Sequence, residues 1–443
     1  MTIADIEEKL SALSKVLQLV SLKEYEAALK GITKKLNKKY YGNDSEVEHA
    51  LVVGSVGRGT AAIGESDVDV IYILPEEVKS RFDSRVGNVQ SALLQEVKDE
   101  LQSRYPRTDL KGDGQVVVIE FSRFKVELVP AFYQVGDCFL HPDANDGGAW
   151  KSTDPKIEQK TVWEMQKSTQ GCFGAVCTIL RLWRDVQNVS ISGFLLDSIV
   201  HDSFTTDRWQ NPSSSFKIRE SLSLCLEYIS KQNEDQLYWL SLGSNVQIKN
   251  PDDGKFIRKA RRFWSEFNSA NEDADAMDSV LGKMLGAKYD GAVEEVRNRE
   301  RAPREQFIEE ESIIALNALT SLDCQVTQDG FRPFSLRSWL SRIEQGALKF
   351  LSINQSLDFF VKETAVNKPY VTKWKVRNVG EEAKKRNNER GMIIKGTDRH
   401  AENTKFTGPH YVECYLEKDG VCISQTRIDV PIKSDIYDVE HKI

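Results

Sequence analysis

Two aspartates open one of the most apolar runs of the chain, LVVGSVGRGTAAIGESDVDVIYILP at residues 51–75. Asp is a poor strand former, and carboxylates are rarely buried unless something pairs with them. On a strand, residues i and i+2 share a face, so Asp67 and Asp69 would project side by side. Like charges at that spacing repel, and one stays protonated unless a cation sits between them. Magnesium answers that need, because it takes hard oxygen ligands and completes its shell with water and substrate phosphates. A two-metal site, with ions roughly 4 Å apart, requires a third acid. Glu127 in KVELVPAF, flanked by apolar residues, is the best candidate, with Glu120 and Asp113 as competitors. Upstream, Gly54 and Ser55 follow the run LVV, where a tight turn presents backbone N–H groups and a hydroxyl to a phosphate. Gly57 and Gly59 extend that permissive loop, and Arg58 adds a charge.

The elements that must hold these residues follow from periodicity. Ile3, Ile6, Leu10, Leu13, Leu17 and Val20, then Tyr25, Leu29, Ile32 and Leu36, recur at helical spacing and predict an amphipathic helical segment at the start. LVV, VDVIYILP and the hairpin-like pair VVVIEF and KVELVPAF, joined by Ser122 and Arg123, read as strands, with DSRVGNVQSALLQEVKDELQSRY as a helix among them. The pattern from 151 to 290 is mostly helical. EEVRNRERAPREQFIEEE suits an exposed connector, and an ill-defined mixed segment continues it. From SLDFFV onward, alternating strands broken by Gly and Asn suggest a small β-sandwich. The expected organisation is a palm with an N-terminal helix at 1–150, a helical lobe at 151–290, a charged connector and mixed segment at 291–353, and a β-sandwich at 354–443.

Length and composition bound the rest. A chain of 443 residues suggests two or three domains. Lys and Arg number 60 against 67 Asp and Glu, a net charge of −7, which argues against constitutive, tight, nonspecific nucleic-acid binding. The basic run KGITKKLNKKYY at 30–41 reads as a solvated helix face before it reads as an activator-docking surface. The 7 cysteines are scattered and odd in number, which points to a reducing cytoplasm rather than a disulfide scaffold. No apolar run approaches the roughly 18 residues of a membrane span, and MTIADIEEKL lacks the features of a secretory signal. A cytoplasmic protein without a membrane partner is expected.

GS followed by SDVDV, and then VELVPAF on a later strand, resembles the nucleotidyltransferase superfamily that shares the DNA polymerase β palm. More narrowly, it is similar to the bacterial cGAS/DncV-like nucleotidyltransferases, the CD-NTases, relatives of the oligoadenylate synthases. HPDANDGGAWKSTDPK, TILRLWRDV and SGFLLDSIV continue the similarity. The resemblance implies an α+β fold with a polymerase-β-like palm. It also implies that Asp67, Asp69 and Glu127 hold two Mg²⁺ ions, with Mn²⁺ able to substitute. Gly54 and Ser55 would then hold the triphosphate, and Arg181 and Ser192 would help bind nucleotide. Two departures concern reach and geometry: the third acid is Glu where Asp is commoner, and Arg181 stands where Lys is frequent.

YVTKWKVRNVGEEA, ERGMII, RHAENTKFTGPHYVECYLEKDGVCIS and VPI resemble the AGS-C module, a sensor domain appended to such enzymes. Trp374, Arg390, His410 and Tyr415 are residues that could line a ligand groove there or simply fill a core. Taken together, the resemblances imply synthesis of a cyclic oligonucleotide second messenger from nucleoside triphosphates in bacterial antiphage signalling. A separate effector protein would respond to the product, and a phage-derived activator, nucleic acid among the candidates, would switch the enzyme on. Two alternatives stay open: a linear oligonucleotide or nucleotide transfer to RNA or protein, and a catalytically inactive nucleotide-sensing protein.

Overall fold

Two helices open the chain, α1 (Ile3–Leu17) and α2 (Lys23–Tyr40), and they belong to different compact units. The structure, a computed structural model, describes residues 1–18, 23–62, 67–206, 216–250, 252–298, 302, 304–341 and 350–433. The first unit comprises Met1–Val20, Val52–Lys98 and Arg107–Arg299; the second comprises Ser21–Leu51, Asp99–Pro106 and Glu300–Ile443.

In chain order, the first sheet and its helices are β1 (Ala50–Val52), α3 (Gly54–Arg58), β2 (Asp67–Leu74), α4 (Glu76–Asp83), α5 (Val89–Gln102), β3 (Asp109–Asp113), β4 (Val116–Glu120), β5 (Lys125–Tyr133), β6 (Phe139–Asp143) and β7 (Ala149–Thr153). The strand order is β1-β2-β5-β4-β3, with β6 pairing both β5 and β7. The expected hairpin is present: β4 and β5 pair antiparallel, with Val117 opposite Leu128. β2 lies parallel to β5, with Asp67 opposite Lys125 and Asp69 opposite Glu127. Along β2, Val68 and Val70 are buried while Asp67 and Asp69 stay partly exposed, so the two faces of the strand are sorted by residue type.

The helical part follows as α6 (Pro155–Ser168), α7 (Cys172–Val186), α8 (Gly193–Phe204), α9 (Ile218–Ser230), α10 (Lys255–Ala270), α11 (Ala274–Leu285) and α12 (Ala287–Asn298). A small hairpin of β8 (Tyr238–Leu240) and β9 (Gln247–Lys249) interrupts this stretch. α7 is central: Phe173, Val176, Ile179, Leu180 and Trp183 are all fully buried, as expected of a helix apolar around most of its circumference. α1 packs against α7, α9, α11 and α12. It also caps α9, whose first N–H groups, on Ile218 and Arg219, donate to Glu7 Oε1 and Oε2 at 2.6 and 3.0 Å. Lys217 supplies no side-chain cap, so the acid from another helix meets the requirement.

The second unit is mostly strand: β10 (Ile313–Ile314), β11 (Thr320–Thr327), β12 (Phe334–Ser335), β13 (Ser356–Thr364), β14 (Val371–Arg377), β15 (Arg390–Gly396), β16 (Arg399–Asn403), β17 (Gly408–Lys418) and β18 (Val421–Ile432). Two short helices, α13 (Leu336–Leu340) and α14 (Glu381–Lys385), lie among them. One sheet runs β10-β18-β17-β14-β15 and the other β12-β11-β13-β16. Asp419 and Gly420 turn β17 into β18, both at positive φ, which is the turn whose twist suits a two-residue hairpin. The strands begin before the segment read as ill-defined has ended. TSLDCQVT forms β11, buried over most of its length, and Asp323 within it accepts from Ser335 Oγ at 2.7 Å and from the Arg337 amide at 3.2 Å. α2 belongs with these sheets: Lys30 Nζ donates to Thr426 Oγ1 of β18 at 3.3 Å and pairs with Glu26.

Candidate functional site

The cleft of the first unit, about 730 Å³ in volume, is lined by Gly54, Ser55, Arg58, Asp67, Asp69, Glu127 and Arg181, among others. Seven of the eight residues singled out from sequence therefore meet in one place. Parallel pairing of β2 with β5 accounts for the acids, since in-register neighbours on adjacent strands present side chains to the same face. Asp67 is 44% exposed and Glu127 29%, so both reach solvent in the cleft.

Gly54 and Ser55 start the five-residue helix α3 immediately after β1, where Val53 N–H donates to the Asp69 carbonyl at 2.9 Å. Gly54 has φ +62°, and a Cβ there would fall 1.8 Å from Asp69 Oδ2. Only glycine lets the turn come this close to the second acid. Gly57 meets a similar constraint, with a Cβ 2.3 Å from the Val52 carbonyl oxygen.

Lys125 is the residue that motif reading missed. Its ammonium lies 3.1 Å from Asp67 Oδ2 and 2.8 Å from Glu127 Oε1, between two of the three acids. The hydrogen bond to Glu127 raises its pKa, burial opposes this, and Asp67 adds to the rise. The signal was available, because Lys125 stands two residues before Glu127 on a strand and so shares its face. Three carboxylates with a cation already seated between two of them form a hard-oxygen donor set that suits a divalent ion. Among the described residues, no three His, Cys, Asp or Glu side chains are close enough to enclose a metal ion as they stand.

Arg58 and Arg181 line the cleft yet are themselves buried. Both converge on Asp197 of α8, which is fully buried: its Oδ2 accepts from Thr60 Oγ1 at 2.7 Å, Arg181 Nη2 at 2.8 Å and Arg58 Nη2 at 3.1 Å. Arg181 also donates to the Gly193 carbonyl at 3.1 Å, and the Arg58 guanidinium lies 4.5 Å from the centre of the Phe194 ring. The cluster ties α3, α7 and α8 together behind the cleft. Burial raises the pKa of Glu158, whose Oε2 lies 3.9 Å from Arg58, while that Arg opposes the shift. Sequence reading passed over Asp197, although an acid within the apolar run FLLDSIV was the available clue.

Ser192 is placed differently. It is the N-cap of α8, accepting from the Leu195 amide at 3.2 Å, while its neighbours Gly193 and Phe194 line the cleft. Arg184 and Asp185, paired at 2.7 Å, lie on the same lining, as does His141, whose pKa burial lowers.

In the second unit, Trp374 and Tyr415 are core residues, whereas Arg390 and His410 line a cavity of about 280 Å³. The basic run of α2 is largely engaged within the unit: Lys34 faces Glu46, and Lys35 and Lys39 face Glu100. All seven cysteines are free thiols, six of them buried. Among the described residues, no helix is long and apolar enough to cross a membrane.

Residues 5–165 match the family model of the Second Messenger Oligonucleotide or Dinucleotide Synthetase (SMODS) domain, and residues 302–433 match the Adenylyl/Guanylyl and SMODS C-terminal sensor domain. A "Probable cyclic nucleotide synthase" of Bacillus cereus (strain VD146) is 21% identical over 224 residues, covering 46% of this chain and 66% of that protein. Among solved structures, the CD-NTase CdnG of Bradyrhizobium diazoefficiens in complex with GTP is similar at a TM-score of 0.48 and 11% identity, over 65% of this chain and 97% of that one. The CdnC:HORMA-deltaN complex of E. coli MS115-1 is similar at 0.47 and 14%, over 64% and 97%.

Proposed function

We propose, for a chain that belongs to the CD-NTase family of nucleotidyltransferases and joins a SMODS domain to a C-terminal sensor domain, that it makes a cyclic oligonucleotide from nucleoside triphosphates. A ribose hydroxyl attacks the α-phosphate of an NTP, the new O–P bond forms as the bond to pyrophosphate breaks, and the hydroxyl proton leaves to solvent. A second such step on the linear product closes the ring. The observation that carries this reading is the in-register placement of Asp67, Asp69 and Glu127 on one face of β2 and β5, in the cleft that the Gly54–Ser55 turn also lines.

Asp67, Asp69 and Glu127 would hold two divalent ions, Mg²⁺ or in its place Mn²⁺, which when bound lower the pKa of the attacking hydroxyl and offset charge on the phosphates. The remaining roles fall to the chain itself. Gly54 and Ser55 orient the triphosphate so that pyrophosphate leaves in line. Arg58 and Arg181 set two guanidinium charges against the single carboxylate of Asp197. Both guanidinium groups lie on the cleft lining, where they favour a polyanion. We place the product in bacterial antiphage signalling, acting on a separate effector protein, with the enzyme itself switched by a phage-derived activator.

The deciding experiment incubates the purified chain with mixed NTPs and dNTPs and Mg²⁺ or Mn²⁺. Products are identified by mass spectrometry before and after phosphatase, beside the Asp67→Ala/Asp69→Ala chain. Phosphatase-resistant products from the wild type alone support the reading. Phosphatase-sensitive products mean a linear oligonucleotide, and equal turnover by both proteins would overturn the assignment of the acids.

A further inference from the structure

We infer that Lys125 is a built-in counter-cation of the acid face, holding Asp67 and Glu127 together before a metal arrives and giving up its place when one enters. The inference rests on the proposed metal-dependent reading of the cleft. It begins from register: Lys125 is opposite Asp67 and Glu127 is opposite Asp69, so the parallel pairing of β2 with β5 alternates one cation among three acids on a single face. Asp67 and Glu127, held diagonally across that pairing on one face, repel each other in the metal-free protein. The Lys125 ammonium, 3.1 and 2.8 Å from Asp67 and Glu127, offsets that repulsion from within the chain.

A lysine suits this temporary role better than an arginine would. Its charge is a compact point at the end of a flexible four-carbon stem, so it can withdraw by rotation without disturbing the strand. The side chain is 36% exposed, which leaves it a path out to solvent. A divalent ion bound to Asp67 and Glu127 cannot share those oxygens with an ammonium at hydrogen-bond distance, because like charges at such separations repel strongly. Once displaced, the ammonium stays tethered beside the acid face, where a triphosphate would arrive. Metal entry and the release of a cation toward the anionic substrate thus become one event.

The test measures binding of Mn²⁺ alone, by electron paramagnetic resonance of the free ion, together with thermal unfolding with and without Mn²⁺. Wild type, Lys125→Met, Lys125→Arg and Asp67→Ala/Asp69→Ala are compared. Removing the competing charge is expected to tighten Mn²⁺ binding roughly three- to tenfold in Lys125→Met, the scale of two partly exposed ion pairs. That variant should melt lower than wild type without metal and regain more on adding it. Lys125→Arg, which keeps a charge with a forked grip on carboxylates, should bind Mn²⁺ no tighter than wild type. Unchanged or weaker Mn²⁺ binding in Lys125→Met would overturn the inference while leaving the metal site standing, provided the double Asp variant loses binding. Equal binding by wild type and the double Asp variant would instead remove the metal reading itself.

Discussion

Gly54 and Asp69 are in such close approach that the space a Cβ on the glycine would need is already taken by Oδ2 of the aspartate, 1.8 Å away. The turn that precedes the acid strand and the second acid of that strand are therefore one steric unit. Gly54→Ala should suffer twice, from the clash and from a left-handed φ of +62° that costs an L-residue about 1 kcal/mol or more. The expected result is loss of nearly all product formation with far-ultraviolet circular dichroism retained. An alanine variant with wild-type turnover would mean the turn does not set the position of Asp69.

Asp197 holds two buried guanidinium groups and a hydroxyl. Replacing it with alanine leaves Arg58 and Arg181 buried without that carboxylate, a change that typically costs about 3–5 kcal/mol. Asp197→Ala should lower unfolding free energy on that scale in urea titrations. Thr60→Val, which removes a single donor to the same oxygen, should cost only about 1 kcal/mol.

Glu7 of α1 accepts the first two amides of α9. Glu7→Ala should destabilise the chain by about 1 kcal/mol, the usual price of a lost helix N-cap. Chemical denaturation reads that loss directly, and Glu7→Gln should recover part of it because the amide oxygen still accepts.

Glu402 supplies the pH-dependent term. Burial would raise its pKa, but His400, at 2.9 Å, and Arg390, with two bonds of 2.8 Å, overcome this and hold it at about 2 against an ordinary 4.5. A depressed carboxylate contributes stability that is complete above its unfolded value and is lost as pH falls through its folded one. Between pH 5 and pH 2 the wild type should therefore lose more stability than Glu402→Gln, by up to about 3 kcal/mol. Parallel urea titrations of the two proteins would show the difference, and superimposable pH profiles would refute it.

Much of the site was legible because strand alternation makes a strong local signal. Asp67 and Asp69 sit opposite buried Val68 and Val70, and VELVP places Glu127 in the same pattern. Residues whose importance comes from partners far along the chain were not. Asp197 looks like any acid in a helix until Arg58, 139 residues earlier, reaches it. Lys125 reads as a surface charge until parallel pairing sets it opposite Asp67. β11 escaped notice because its polar positions, Thr320, Ser321 and Asp323, are buried on tertiary hydrogen bonds rather than turned to solvent. Ser192 was found as a hydroxyl at a helix start, and capping accounts for its presence.

The sheet-rich unit draws on Ser21–Leu51 and Asp99–Pro106 as well as on Glu300–Ile443. No single scission of the polypeptide can separate it from its companion. A fragment ending near residue 300 would keep α2 but strip buried Lys30 of Thr426, and a fragment beginning there would lack the helix that packs on β18. Transplanting this unit into another protein thus means moving three tracts of sequence together.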